Sequence, residues 1–294
     1  MVSFIILNYN TAELTLRCIG SIQKHILNTP YELIVVDNAS RPEDQKKLRE
    51  RITGTDIKWV QSKMNVGFGA GNMLGANVAE GDFLCFLNSD IYFTEDCISI
   101  LCQYLQKHPE VGCITPQQYN GENKVVPSFN HAPGLRHELL GKKFLERMCP
   151  AKYPKRKHTL YTVPFAATQI NGCFMLFPTE KFWAIGGFDI NIFLYYEEYD
   201  VCTRLARKGW NSVVHPGCRF SHLHEQSTSK NRSATVRELY LSKMYCYRKY
   251  HNWLSATIYQ WVNVIKLLSK PKKWYILPVI IRGEALSQSL RHRT

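Results

Sequence analysis

The chain has 294 residues, 45% of them hydrophobic and 12% aromatic, enough to bury a sizeable core and to exclude a disordered chain. Its 37 Lys and Arg against 24 Asp and Glu leave a formal charge of +13, which calls for an anionic partner: a phosphorylated substrate, acidic lipid or nucleic acid. Ten cysteines lie mostly in apolar segments with no C-x-x-C pair, which argues against zinc and for a reduced, cytoplasmic protein.

Met1 leads straight into a strand-like run, so no targeting segment is expected, and no run reaches the roughly 18 apolar residues of a membrane span. Residues 3–7 (SFIIL) form that first strand, broken by Asn8-Tyr9-Asn10. Leu14, Cys18, Ile19 and Ile22 then recur at helical spacing behind Thr11, a suitable N-cap. Residues 31–36 (YELIVV) make a second strand, stopped by Asp37-Asn38-Ala39-Ser40; a charged helix and a third, shorter strand at 57–61 follow. This rhythm of strand and helix predicts βαβ units and a largely parallel sheet.

Asn65-Val-Gly-Phe-Gly-Ala-Gly-Asn72 opens the next helix. Three alternating glycines suggest a nucleotide near the backbone, but a dinucleotide fingerprint belongs after the first strand, and the glycines alone favour close helix–sheet packing. Residues 83–87 (FLCFL) read as a strand buried on both faces, ending in Asn88-Ser89-Asp90. Ligands of open α/β sheets gather at carboxyl strand ends, where an Asp can hold a hard divalent cation. The polar groups Asn8/Asn10, Asp37/Ser40 and Asn88/Asp90 all follow strands and should share one sheet edge. Thr94 is expected to cap a helix with Glu95 and Asp96 in its first turn, structural rather than catalytic acids. A short strand at 111–115 precedes an irregular, basic stretch, 120–164, of the kind that often faces substrate.

The strand pattern resumes at 173–177, and residues 188–210 (FDINIFLYYEEYDVCTRLARKGW) form a second dense motif. Asp200 and Arg204 have helical ion-pair spacing, which places Glu197 and Glu198 at the helix start. Their aromatic setting can raise a carboxylate pKa toward general-base use. A strand at 211–215 leads to Ser-His222-Leu-His224, where one histidine could add a nitrogen ligand, with Ser227 and Thr228 nearby.

In order, SFIILNYN, ELIVVDNAS, NVGFGAGNMLG, FLNSD, NGCFMLF, the 188–210 motif and SHLHEQST resemble the family-2 glycosyltransferases, over roughly residues 1–228, and within them the bacterial rhamnosyltransferase-like enzymes. The resemblance implies an α/β GT-A (nucleotide-diphospho-sugar transferase) fold, a mostly parallel sheet flanked by helices, with a C-terminal helical extension. It divides the chain into a catalytic domain, 1–236 (nucleotide-sugar half 1–118, acceptor half 119–236), and an extension, 237–294. By the same resemblance Asp37 reads the pyrimidine base, Asn8 and Asn10 flank it, and Asn65 with Gly67 lies beside ribose or diphosphate. Asn88-Ser89-Asp90 matches the D-x-D metal motif with its first acid replaced by Asn. His222 completes the metal site, Glu198 is the catalytic base, and Glu197 is its rival because a Glu stands where the family has Asp. The implied activity is inverting, metal-dependent transfer with Mg2+ or Mn2+. The donor would be a dTDP- or UDP-sugar, rhamnose favoured, and the acceptor a glycan or polyprenyl-diphosphate-linked molecule of bacterial surface polysaccharide synthesis.

From Arg237 on, eleven Lys and Arg face two acids, interleaved with Tyr and Trp. This composition suits the anionic inner face of a plasma membrane, or a helical cap on the catalytic domain. Two other classes compete. A sugar-phosphate nucleotidyltransferase would need a basic glycine-rich loop after the first strand, where Asn8-Tyr9-Asn10 stands. A nucleic-acid binder would need a recognised motif, and none is present, so no nucleic-acid partner is expected.

Overall fold

The apolar run of residues 3–7 becomes β1 (Val2–Asn8), whose Phe4 and Ile6 enter one core layer and Ile5 the other, as in a strand covered on both faces. After it come α1 (Ala12–His25), β2 (Tyr31–Asp37), α2 (Pro42–Ile52), β3 (Lys58–Gln61), α3 (Phe68–Ala76) and β4 (Phe83–Asn88). These strands lie side by side and parallel in the order β3-β2-β1-β4. Asn8 pairs with Asp37 and Leu7 with Asn88, so the three polar strand ends do share one edge. The computed structural model describes residues 1–157, 159–223, 232–282 and 290.

Beyond β4 the sheet is mixed, where a mostly parallel one was expected. β5 (Ile91–Phe93), α4 (Cys97–Lys107), β6 (Val111–Tyr119), β7 (Phe129–Asn130), α5 (Leu135–Leu140), α6 (Lys142–Met148), β8 (Phe165–Ala167), β9 (Gln169–Ile170) and β10 (Phe174–Pro178) follow. β10 runs antiparallel between β4 and β6, because an apolar run marks burial but not strand direction. After α7 (Thr179–Ala184) and α8 (Glu197–Arg207), β11 (Asn211–His222) lies parallel to β6 and antiparallel to β5. β11 extends well past residue 215, through an irregularity between His215 and Arg219, and that extension brings His222 opposite Ile91. β7 and β9 pair as a separate ribbon.

One apolar layer lies under α1, α2 and α4, the other under α3, α7 and α8. The glycines of α3 serve the second: a methyl group at Gly71 would sit 2.6 Å from Leu7 Cδ1, and one at Gly75 2.5 Å from Ile5 Cγ2. The cap of α4 is Asp96, not Thr94: its carboxylate accepts from Ser99 N at 3.2 Å and Thr94 is exposed. Glu95 accepts from Arg219 N, so both acids are structural.

The tail comprises α9 (Arg232–Tyr250), α10 (Trp253–Leu268), a 3-10 turn at Pro271–Ile276 and α11 (Leu277–Arg282). Its α9 packs on the 188–207 motif. Ser242 Oγ donates to Leu194 O at 2.8 Å, Tyr245 OH to Asp189 at 2.8 Å, and Lys249 Nζ bonds Asp189 at 2.7 Å and Asp200 at 2.6 Å. Behind α9, Tyr259 of α10 is fully buried and stacks on Tyr247 at 3.6 Å. Removing the tail would therefore uncover core, not merely a surface.

Candidate active site

Asn8, at the end of β1, is fully buried and ties the strand ends together. Its Nδ2 donates to Asp37 Oδ1 at 3.0 Å and lies within reach of Ser40 and Asp44, while Thr11 and Thr15 donate to its Oδ1. Asp37 is equally buried, and its Oδ2 accepts from Ser40 N at 3.2 Å and Gln45 Nε2 at 2.8 Å. Asn8 and Asp37 thus build the floor of this rim, and the exposed group on it is Asn10, whose Oδ1 accepts from Arg41 N. Asn10 and Ala39 hold left-handed backbone angles, φ 58° and 62°, a strain that concentrates at functional loops.

The Asn65–Gly67 loop is fastened to this rim. Asn38 Nδ2 donates to Asn65 Oδ1 at 3.0 Å and to Gly67 O at 3.1 Å, and Asn65 Oδ1 also accepts from Gly67 N. Gly67 has φ 88°, and a Cβ there would overlap the Phe193 carbonyl oxygen, which accepts from Phe68 N at 2.8 Å. This seam joins the glycine-rich loop to the segment that carries the two glutamates. Gly67→Ala is expected to cost about 3 kcal/mol and lower the melting temperature by roughly 6–12 °C. Gly20, exposed on α1 with open space around it, is the control: Gly20→Ala should hold or raise stability by up to about 1 kcal/mol. Calorimetry of both proteins checks this.

Across the edge, Asp90 and His222 meet: Nε2 lies 2.9 Å from Oδ1, with the side chains 13% and 10% exposed. Gln118 backs the imidazole, its Nε2 3.0 Å from Nδ1, while its Oε1 accepts from Asn171 Nδ2 at 3.0 Å. Burial lowers the pKa of the ring, and Cys173 and Asp90 raise it; the Gln118 amide N–H, which can only donate, needs a bare Nδ1 and so holds the ring neutral. Ser89 Oγ lies 3.0 Å from Thr11 Oγ1, and Asn88 N donates to Cys173 O. Asp90 and His222 offer one carboxylate oxygen and one imidazole nitrogen. Their separation suits two neighbouring positions of one divalent ion, for which bonds of roughly 2.1 Å put donors about 3 Å apart. Among the described residues no third acidic, His or Cys ligand joins them, which leaves room for ligand oxygens. His224, Ser227 and Thr228 lie outside the described residues.

Glu197 and Glu198 open α8, preceded by Tyr195 and Tyr196 at φ 67° and 71°, two consecutive left-handed residues without a glycine. Past that corner the two carboxylates meet different glycines but stay close enough to act on each other's protonation. Glu197 is buried against Gly69 of α3, where an added methyl would lie 3.5 Å from its Cγ, and its Oε1 has no hydrogen-bond partner. Glu198, half-buried, faces Gly172, where an added methyl would lie 3.7 Å from its Oε2, and Gln169 Nε2 donates to its Oε1 at 3.0 Å. Burial and then the charge of Glu198 raise Glu197 well above the usual carboxylate range. Burial raises Glu198 too, but Gln169 opposes it. Glu197 is therefore the neutral member of the pair, and Glu198 carries the charge.

Gln118, Asn171 and Gly172 join the two clusters, running from Asp90 and His222 to Glu198. Sequence reasoning assigns none of these three a role, nor Gln169. Asn171 and Gly172 stand inside the NGCFMLF motif, so a signal existed; Gln118 lies on the part of β6 beyond the expected strand.

A family model for glycosyl transferase family 2 matches residues 3–177. The chain is similar to the N-acetylglucosaminyl-diphospho-decaprenol L-rhamnosyltransferase of Mycobacterium tuberculosis, 24% identical over 217 residues and 69% of each chain. It is also similar to the low-salt glycan biosynthesis hexosyltransferase Agl10 of Haloferax volcanii, 26% identical over 95% of this chain and 88% of that one. Among solved structures, GalNAc-T7 with UDP, GalNAc and Mn2+ superposes with a TM-score of 0.59 at 18% identity. That match covers 84% of this chain but 49% of the other, so the chain spans about half the length of that protein.

Proposed function

The chain belongs to glycosyl transferase family 2, and on that premise we propose that it moves a hexose, rhamnose by preference, from a dTDP- or UDP-sugar to a glycan or polyprenyl-diphosphate-linked acceptor of cell-surface polysaccharide synthesis. The observation that carries this reading is the hydrogen-bonded run from Asp90 and His222 through Gln118 to Asn171, whose neighbour Gly172 lies against Glu198. It supports reading Asp90 and His222 as a cation-binding pair and Glu198 as a charged carboxylate near them.

Asp90 and His222 would hold Mg2+ or Mn2+, which when bound supplies Lewis-acid stabilisation of a departing nucleoside diphosphate. Asp37 receives the imide N–H of a pyrimidine in place of Gln45 Nε2, which now occupies its Oδ2. Asn10, Asn65 and the Gly67 backbone border the ribose and diphosphate, with Asn88 and Ser89 on the opposite side. Glu198 accepts the proton of the acceptor hydroxyl as that oxygen bonds the anomeric carbon and the carbon–phosphate-oxygen bond breaks, with inversion. Glu197 stays protonated, buried against Gly69, and leaves the charge on Glu198. The test is nucleoside diphosphate release from a panel of UDP- and dTDP-sugars with Mg2+ or Mn2+ and a short-chain prenyl-diphosphate sugar as acceptor. We expect dTDP-rhamnose to be consumed fastest; no consumption of any donor sinks the reading.

The same reading sets the tail against the inner face of the plasma membrane. No helix among the described residues is long and apolar enough to cross it. On α10, however, Leu254, Ile258, Trp261, Ile265 and Leu268 recur at spacings of four and three and are all more than 40% exposed. Lys270 and Lys272 are exposed just beyond them, which matches an apolar strip to an anionic interface. Trp261→Glu with Ile265→Glu should weaken binding to phosphatidylglycerol vesicles at least tenfold and leave the melting temperature unchanged. Equal vesicle binding would reduce the tail to a structural cap.

A further inference from the structure

The irregular insert carries a group of basic side chains that the proposed chemistry leaves unused. Lys142 Nζ and Arg156 Nη1 converge on one neutral atom, Asn130 Oδ1, at 2.9 and 3.0 Å. The carboxylate beside them, Glu146, is already shared by Arg156 Nε at 2.8 Å and His131 Nε2 at 3.2 Å. Glu138, which could have balanced the charge, is instead bonded to Lys243 and Lys266 of the tail. His137 Nε2 is buried with no partner. Two cations and two imidazoles thus stand close together, partly buried, with Glu146 taken by Arg156 and His131 and Glu138 in reach but held by the tail, and like charges repel more strongly there than in water. Burial and Arg156 push Lys142 down to about 8, and burial with Lys142 pushes His137 down to about 4. An anion seated here would relieve both effects.

The position identifies which anion. Asn130 on β7 pairs directly with Gln169 on β9, and the Gln169 side chain holds Glu198. The basic group is therefore linked to the proposed base through the β7–β9 ribbon and Gln169. Outward on α5 and α6, Leu139, Leu140, Phe144 and Met148 are about half or more exposed, and α5 packs against α10, whose apolar strip faces away from the fold. We infer that Lys142, Arg156 and His137 form a diphosphate-binding site for the acceptor, with its lipid chain running out over α5 and α6. This rests on the transferase reading above and adds where the acceptor is held.

The probe is geranyl diphosphate, titrated by calorimetry into the full chain without divalent cation, so that the readout needs no turnover. The expected result is binding that weakens at least tenfold in Lys142→Gln, returns in Lys142→Arg, and leaves dTDP and UDP binding unchanged in both variants. Lys142→Gln keeps a donor for Asn130 Oδ1, and an unchanged melting temperature shows that it folds. Equal binding by wild type and Lys142→Gln, or none by wild type, overturns the site. If Lys142→Gln loses affinity for phosphatidylglycerol vesicles but not for geranyl diphosphate, the anion is a lipid headgroup and the acceptor assignment falls. A wild-type protein that binds geranyl diphosphate yet consumes no nucleotide sugar would overturn the transferase reading alone.

Discussion

Glu198→Gln lowers turnover by roughly a hundredfold or more while donor affinity stays within about twofold. The amide keeps the shape and can still meet Gln169, but it cannot take a proton. Glu197→Gln, a change at the neutral, buried member of the pair, should cost less than about tenfold, because no charge is lost there. The pH profile separates base from scaffold. With Glu198 as the proposed base, activity is expected to fall as pH drops through a pKa raised by burial above the ordinary 4.5. Gln169 bonds the charged form; Gln169→Ala removes that support, raises the pKa further, and moves the acid limb to higher pH. Turnover, donor affinity and the pH limb are measured together. A near-normal Glu198→Gln with a dead Glu197→Gln would exchange the two roles.

Asp90→Ala should abolish transfer and weaken dTDP or UDP binding about tenfold or more in Mg2+ or Mn2+, with no change in EDTA. His222 would remain, but without its carboxylate neighbour it offers a single neutral ligand to a hard cation. The 2.9 Å pairing of the two side chains makes them one unit, so His222→Ala should resemble Asp90→Ala and the double variant should add little. Nucleotide titrations with and without cation check this. Full activity of wild type in excess EDTA would remove the cation from the mechanism.

The amino-terminal parallel strands were legible because their signals are local. Each of β1, β2 and β4 is a short apolar run closed by Asn or Asp, and parallel pairing then forces those closures onto one edge. The same logic fails for β10 and β11, whose direction and length depend on partners far away in the chain. Gln118 went unassigned for that reason: it becomes a second neighbour of Asp90 only when β11 carries His222 past the irregularity at residues 215–219. Asp37 shows the opposite limit. Its place at a strand end was readable, but its complete burial and its bonds to Asn8, Ser40 and Gln45 were not, since side-chain partners 3 to 29 residues away leave no period in the sequence. The exposed strip of α10 was visible as aromatic and basic composition, yet only packing separates Tyr259, turned inward, from Trp261, turned out.

The corner at Tyr195 and Tyr196 has a consequence for how the enzyme comes into being. Two side chains in left-handed backbone cost on the order of 1–3 kcal/mol each. What restrains them comes largely from α9: Ser242 on the Leu194 carbonyl, Cys246 packed with Tyr196 and Tyr199, and Lys249 on Asp189 and Asp200. During synthesis the parallel half emerges first and can already collapse on its own apolar layers. Glu198, by contrast, sits on a corner held by residues some fifty places further along, which must leave the ribosome and dock first. The corner that carries Glu198 is thereby made the last part of the sheet edge to be fixed, dependent on a helix that follows the sheet in the chain.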